Sequence, residues 1–256
     1  MIYIMAHKAF HAPSIPGYAP LQVGAALNGD LGYLRDDAGE NISEKNPYFC
    51  ELTGLYWVWK NRDDAEKGLV HYRRYFTRSR MSHSYADVLP FERISGMLDG
   101  ADIVVPRTKY NHVSNRDQLV PRHAKERHFD ALRDSVARRS PEYLADFDAF
   151  FEGNTGHFMN MMVARREVFD GYCAWLFDIL FDLEARVKAE WPQDDPKRMY
   201  GHLSERLLNV YIRRNGLRVA QCPMANMEFG LRKRLRYIRQ NYTNRPRFWL
   251  RKHFSK

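Results

Sequence analysis

Gly68-Leu69-Val70-His71-Tyr72-Arg73-Arg74-Tyr75-Phe76 reads as a short strand that runs into a cluster of polar and cationic side chains. In open α/β sheets, ligands gather at the carboxyl ends of the strands. Two guanidinium groups at such an end match the geometry of phosphate oxygens. The same pair would equally serve to bridge nearby carboxylates, and the segment alone leaves both readings open.

Working outward, Ile2-Tyr3-Ile4-Met5 reads as another short buried strand. Further strands are expected at Ala101 to Val105, at Phe158 to Ala164 and at Leu217 to Cys222, the first and last stopped by Pro106 and Pro223. Between them lie helical segments. One starts at Ser43 or Asn46-Pro47 and runs to about Lys60, with Phe49, Leu52, Tyr56 and Trp59 as its apolar face. Others span Pro90 to Leu98, Pro141 to Phe151, Arg166 to about Glu190, and Gly201 to Arg214, which Asn215-Gly216 ends. The Pro- and Gly-rich stretch after Met5 and the polar stretch from Lys109 to His128, which lacks a clear period, read mainly as loops. Short strands alternating with helices predict an α/β fold, with a mixed central sheet flanked by helices. No boundary is visible before residue 228 or so, which gives one domain over residues 1–228 and a separate tail over 229–256.

The net charge of +9 is unevenly placed. From Arg232 to Lys256 there are ten Lys or Arg and no acidic residue, so the body is close to neutral. A nucleic-acid binder would spread cations over its folded face; the pattern points instead to a local contact with something anionic. Leu235, Ile238, Phe248, Trp249, Leu250 and Phe254 interleave with these cations, a combination suited to an anionic bilayer surface. A solvated end is the plainer reading of the same residues. Cys50, Cys173 and Cys222 have no metal-ligand spacing and fit free thiols in a reducing cytoplasm. No secretory leader is read at the N-terminus, and no segment approaches the ~20 apolar residues of a membrane span.

Gly-rich phosphate loops, HExxH and GxSxG are absent from the sequence. A second unusual stretch runs from Asp37 to Asn61, a polar turn feeding a helix N-terminus. Backbone N–H groups there suit phosphate or carboxylate oxygens, with Asn41, Lys45 and Asn46 alongside. Plain capping by Ser43 or Asn46 accounts for the same pattern.

The two stretches together resemble a known family. Asp-x-x-Gly-x-Asn-Ile-Ser-x-Lys-Asn-Pro (Asp36 to Pro47), Glu51-Leu52-Thr53 with Tyr56-Trp57-x-Trp59-Lys60-Asn61, and His71-Tyr72-Arg73-Arg74-Tyr75-Phe76 are similar to the DUF4422 domain of capsular and exopolysaccharide biosynthesis glycosyltransferases. The likeness continues through Asn160-Met161-Met162, Tyr172-Cys173-Ala174-Trp175 and Leu203-Ser204-Glu205-Arg206, covering about Ile2 to Met227. It implies a GT-A-like fold and transfer of a sugar from a nucleotide donor, with UDP-galactofuranose as the preferred donor. The acceptor would be a capsular, O-antigen or exopolysaccharide glycan, lipid-linked, met at the inner face of a bacterial cytoplasmic membrane. Enzymes of that fold usually hold the diphosphate through a divalent metal (Mn or Mg) on Asp-x-Asp, but Asp36-Asp37 and Asp194-Asp195 are adjacent pairs in turns. No cofactor is therefore firmly expected, and Arg73 and Arg74, helped by Lys8 or Lys45, are the residues expected to take the metal's place, with His71 beside them.

On the same resemblance, Glu205 is the expected general base of an inverting reaction, although a salt bridge to Arg206 or Arg213 explains a carboxylate there as well. His7 and Lys8 end the first strand, where they would meet the donor together with Asn41, Lys45 and Asn46. His157 and Asn160 flank the fourth strand and would face the acceptor. A non-catalytic carbohydrate or nucleotide-sugar binding module is the competing reading; nucleic acid is not expected as a partner.

Overall fold

Along the first strand, β1 (Ile2–Ala6), successive side chains leave on opposite sides. Tyr3 and Met5 enter one apolar cluster, and Ile2, Ile4 and Ala6 enter another. The same split recurs where Leu69 and Val70, Ile103 and Val104, and Met162 and Val163 go to opposite faces. Both faces of the sheet are therefore covered, which is why these strands read as continuous apolar runs.

The computed structural model describes residues 1–254. The side chains at 121, 245 and 251–254, and residues 255–256, lie outside the described residues, and with them the last cations of the basic tail. The remaining strands are β2 (Tyr18–Gln22), β3 (Leu34–Arg35), β4 (Glu66–His71), β5 (Arg74–Phe76), β6 (Ile103–Pro106), β7 (Lys109–Tyr110), β8 (Thr155–Gly156), β9 (Met162–Arg165), β10 (Val219–Cys222) and β11 (Met224–Asn226). The helices are α1 (Asn46–Phe49), α2 (Leu52–Asn61), α3 (Phe91–Ser95), α4 (Asn115–His123), α5 (Glu126–Arg139), α6 (Leu144–Glu152), α7 (Arg166–Glu190), α8 (Met199–Arg214) and α9 (Leu231–Phe254).

The central sheet runs in the order β10-β6-β9-β4-β1-β2-β3, with β5 joining β4 and β11 joining β5. Neighbours β1, β2, β3 and β4 are parallel, as are β6 and β10, while β9 lies antiparallel between β4 and β6. The expected α/β architecture with a mixed sheet is what the chain adopts. The parallel strands β1, β2, β4 and β6 consequently end at one edge, and the start of β9 meets them there.

Four local expectations are corrected. The helix expected from Ser43 to Lys60 is broken at Cys50, whose φ of 53° lies in the left-handed region. Asn46 stabilises the break, donating from Nδ2 to the Cys50 carbonyl at 2.8 Å. The polar stretch read as a loop contains β7, α4 and the start of α5. Its helix α4 is capped by Ser114, whose Oγ accepts from Asp117 N at 3.0 Å. Buried Asn115 fastens it to the Phe150 and Thr155 carbonyls, so amide hydrogen bonds stand in for part of an apolar face. The strand expected from Phe158 starts only at Met162, because Met159 and Asn160 take positive φ. The loop after Met5 contains β2.

The tail is helical from Leu231 and is fastened to the body. Asn241 accepts from Tyr110 N at 2.7 Å and donates to the Thr108 carbonyl at 3.2 Å, pairing with β7 as a strand would. Asn244 donates to the Tyr110 carbonyl at 3.0 Å. On the outer side, Leu231, Leu235, Tyr242 and Trp249 are exposed. Their spacing places them on one stripe of the helix. No described helix is long and apolar enough to cross a membrane.

Helix α2 packs on the sheet through Gly54, where an added Cβ would lie 2.5 Å from Met5 Sδ and 2.8 Å from Val23 Cγ1. Gly54→Val is expected to lower stability by about 1–3 kcal/mol through overpacking. Chemical denaturation measures it, and a variant as stable as the parent contradicts the packing described.

Candidate active site

A cleft of about 550 Å³ opens at the edge where the strands end. Its floor is set by a tight turn. His71 at the end of β4 pairs with Arg74 at the start of β5, so Tyr72 and Arg73 form the whole connection. Tyr72 N is held by the Met5 carbonyl at 3.1 Å. His71 is fixed through Nε2 to the Met159 carbonyl. Burial, then the adjacent Arg74 guanidinium, lowers its pKa to about 4, so its ring is neutral at ordinary pH. Arg74 makes no ion pair among the described residues, and burial shifts its pKa down. Arg73 touches Glu228 at 3.4 Å, while its Nε is buried with no hydrogen-bond partner among the described residues.

The opposite wall is the N-terminal half of α8 together with Glu51, the residue that the break at Cys50 turns into the cleft. Asn160 ties these pieces together. Its Nδ2 donates to Glu51 Oε1 at 2.8 Å and to the Gly201 carbonyl at 3.0 Å, and its Oδ1 accepts from Ser204 Oγ at 3.0 Å. Glu205 follows one residue later and contacts Arg206 at 3.1 Å. Burial raises the pKa of both carboxyl groups; Arg206 opposes the rise at Glu205, and the charge of Glu51 adds to it.

The cleft ends at α4 and α8, where His123 and His202 stack with ring centroids 3.7 Å apart. Burial lowers both pKa values, that of His202 to about 4 with help from His123 and Arg206. Arg206 is buried, bonded to the His202 carbonyl and to Gln118, with Nε unpartnered among the described residues. Lys109 faces the same space between the Phe158 and Tyr237 rings, and burial lowers its pKa. Arg198 completes this cationic wall. Most cations on α5 and α7 are ion-paired to carboxylates; those of the cleft largely are not.

Of the residues singled out in the sequence, His7, Asn46, His71, Arg73, Arg74 and Glu205 line one cleft. Asn160 lies just behind it and holds Glu51. The other four lie elsewhere. Lys8 is exposed beside Glu228 at 3.9 Å. Lys45 points away to Glu184 and the Phe181 ring. Asn41 closes its own turn, donating to the Asp37 and Gly39 carbonyls. His157 is bound through Nδ1 to the Pro106 carbonyl at 2.7 Å. Glu51, Lys109, Arg198, Arg206, His123 and His202 were not singled out. Glu51 and Arg206 sat inside quoted motifs, and their charge in an apolar context was the available signal. Lys109 and His123 lay in the stretch taken for a loop.

The residues present do not fit a divalent metal. Among the described residues, no three His, Cys, Asp or Glu side chains come together for one. Asp36 accepts from Gly24 N, Ala25 N and Ser43 Oγ, and Asp37 pairs with Arg35 at 2.6 Å. Asp194 is held by Lys125, Arg127 and His128.

The profile of a family described as a domain of unknown function (DUF4422) matches residues 1–216. A solved structure described as the apo structure of the WbbM bifunctional glycosyltransferase is similar, with a TM-score of 0.76 and 29% sequence identity. The match covers 89% of this chain and 45% of that one, so the chain spans less than half of that protein's length. No curated protein matches the chain.

Because burial raises the Glu51 pKa above its ordinary value of 4.5, the folded chain keeps that proton to a higher pH than the unfolded chain does. Stability contributed by this group therefore falls as pH rises above that value. Glu51→Gln keeps the acceptor for Asn160 and removes the charge. Its Tm should exceed the parent's near pH 8 and approach it near pH 4. Calorimetry at the two pH values checks this; a lower Tm at the higher pH contradicts it.

Proposed function

The chain belongs to the DUF4422 family, and on that premise we propose that it transfers a glycosyl group from a nucleotide-sugar donor to a glycan acceptor. The observation that carries the proposal is the cleft itself: Arg74, half-buried and without a carboxylate partner among the described residues, stands with Arg73, Lys109 and Arg198 around a carboxyl group of raised pKa at the carboxyl ends of parallel strands. A buried, unpaired cation is costly, and a bound anion removes the cost. The likeness to a bifunctional glycosyltransferase over most of this chain supports the same reading.

In this mechanism the nucleoside diphosphate rests on the turn Tyr72-Arg73 and on Arg74. His7 at the end of β1 and Asn46 border the same space. Glu205 takes the proton from an acceptor hydroxyl. That oxygen bonds to the anomeric carbon as the bond to the diphosphate oxygen breaks, and the leaving diphosphate keeps the electron pair. Arg73 and Arg74 stabilise its growing charge in place of a metal. A single displacement of this kind inverts the anomeric centre. Burial raises the Glu205 pKa, which makes its carboxylate a stronger base, and neutral His71 adds no charge of its own beside the phosphates. Within this reading the donor is UDP-galactofuranose, and the acceptor is a lipid-linked capsular, O-antigen or exopolysaccharide chain. The cationic outer side of α9 rests on the anionic inner face of a bacterial cytoplasmic membrane.

Glu205→Gln is expected to reduce transfer by about 10²-fold or more while UDP binding, read by calorimetry, stays close to that of the parent. Near-normal turnover would remove Glu205 from the role. Transfer measured in excess chelator is expected to match transfer without it; complete loss, restored by manganese, would overturn the arginine-based site.

A further inference from the structure

Beneath α9 the cleft continues into a small annex of about 50 Å³ that shares Arg74 and Met159 with it. Two guanidinium groups from separate parts of the chain converge there: Arg80, in the loop after β5, and Arg234, in the first turn of α9. Neither forms an ion pair among the described residues, and Arg234 Nε is buried with no partner among them. The Tyr237 side chain closes the annex from α9, near enough for Arg74 and Arg80 to act on its ionisation. Phe229 and Met224 supply an apolar margin.

Such a space is not a cost-free feature of a fold. Two half-buried guanidiniums lining one small space, one with a buried Nε that has no partner among the described residues, favour an anion between them. The donor diphosphate is already served by Arg73 and Arg74 on the far side of the shared wall. The exposed side of α9, next to the annex, carries Leu231, Leu235, Tyr242 and Trp249 among arginines. A ligand anchored in the annex would thus have its reactive end in the cleft and its other end beside an apolar, cationic helix face.

We infer that Arg80 and Arg234 form a second anion site, which holds the phosphate of a lipid-linked diphosphate acceptor. The inference deepens the transfer reading and rests on it. Charge and room suit one phosphate group, the apolar margin suits the first carbons of the lipid, and the shared Arg74 couples the two anion sites.

The test uses the full chain and farnesyl diphosphate, a soluble lipid diphosphate, with calorimetric detection. The parent is expected to bind it, and the Arg80→Gln/Arg234→Gln double variant to bind it at least about tenfold more weakly, the worth of roughly one charged contact. UDP affinity should be the same in both proteins, which also reports that the variant is folded. Equal binding of farnesyl diphosphate by both proteins would overturn the site, as would its competitive displacement by UDP. Inorganic pyrophosphate binding as tightly as farnesyl diphosphate would mean a free-phosphate site and would also overturn it. So would parallel loss of binding to phosphatidylglycerol vesicles, which would make it a headgroup site. Failure of the parent to bind UDP would instead strike at the transfer reading, while the farnesyl diphosphate comparison still judges the annex.

Discussion

The side chain of Asn160 is the node on which the site depends. One amide reaches Glu51 at the start of α2, the Gly201 carbonyl in α8 and the Ser204 hydroxyl one turn later. It can do so because its own backbone is in the left-handed region, at φ 49°, which asparagine tolerates better than most residues. Three elements distant in sequence are thereby held at fixed separation at one end of the sheet. Removing the amide would free Glu51 to swing and would leave buried polar groups of α8 unpaired, so one hydrogen-bonded side chain governs both shape and electrostatics.

Charge is distributed by a simple rule. On the outer helices, cations meet carboxylates: Arg133 with Asp148, Arg138 with Asp182, Arg186 with Asp134. Exposed pairs of this kind contribute little stability. Around the cleft, Arg74, Lys109 and Arg198 have no such partners among the described residues. The protein therefore holds two partly desolvated cations, Arg74 and Lys109, near the exposed Arg198, an arrangement that costs stability. Glu51 and Glu205 share the space as carboxyl groups whose pKa burial raises, so the ionised form that would offset the arginines is itself disfavoured there.

Much of this was legible in the sequence, and the misses have physical causes. Apolar runs at Ile2, Gly68 and Ala101 identified strands because each strand is covered on both faces. The turn His71-Tyr72-Arg73-Arg74 was legible as a strand end, while the arginine pair alone left ligand and carboxylate partners open; Arg73 meets Glu228 and Arg74 meets no carboxylate among the described residues. Helix α7 was read with its observed ends, since Pro192 lies just beyond its C-terminus and its apolar period is strong. Helix α4 was not, because Asn115 buries amides where a typical helix buries methyl groups. Glu51 was hidden for a related reason: it sits at the break between α1 and α2, where the left-handed Cys50 interrupts a segment that reads as one continuous helix. Lys45 and Asn41 stand in the same polar stretch as Asn46, which does border the cleft, but Lys45 is taken up by Glu184, which lies 139 residues away, and Asn41 by its own turn.

The lopsided charge of the chain has a consequence for orientation. A nearly neutral body fastened to a cationic helix is an electric dipole of molecular size. Near any anionic surface such a dipole feels a torque at distances up to about a Debye length, ~8 Å at physiological ionic strength. It turns before it touches. Because Asn241 and Asn244 lock α9 to β7, and β7 carries Lys109, that torque is delivered to the whole body, so the molecule arrives with its annex side already turned toward the surface.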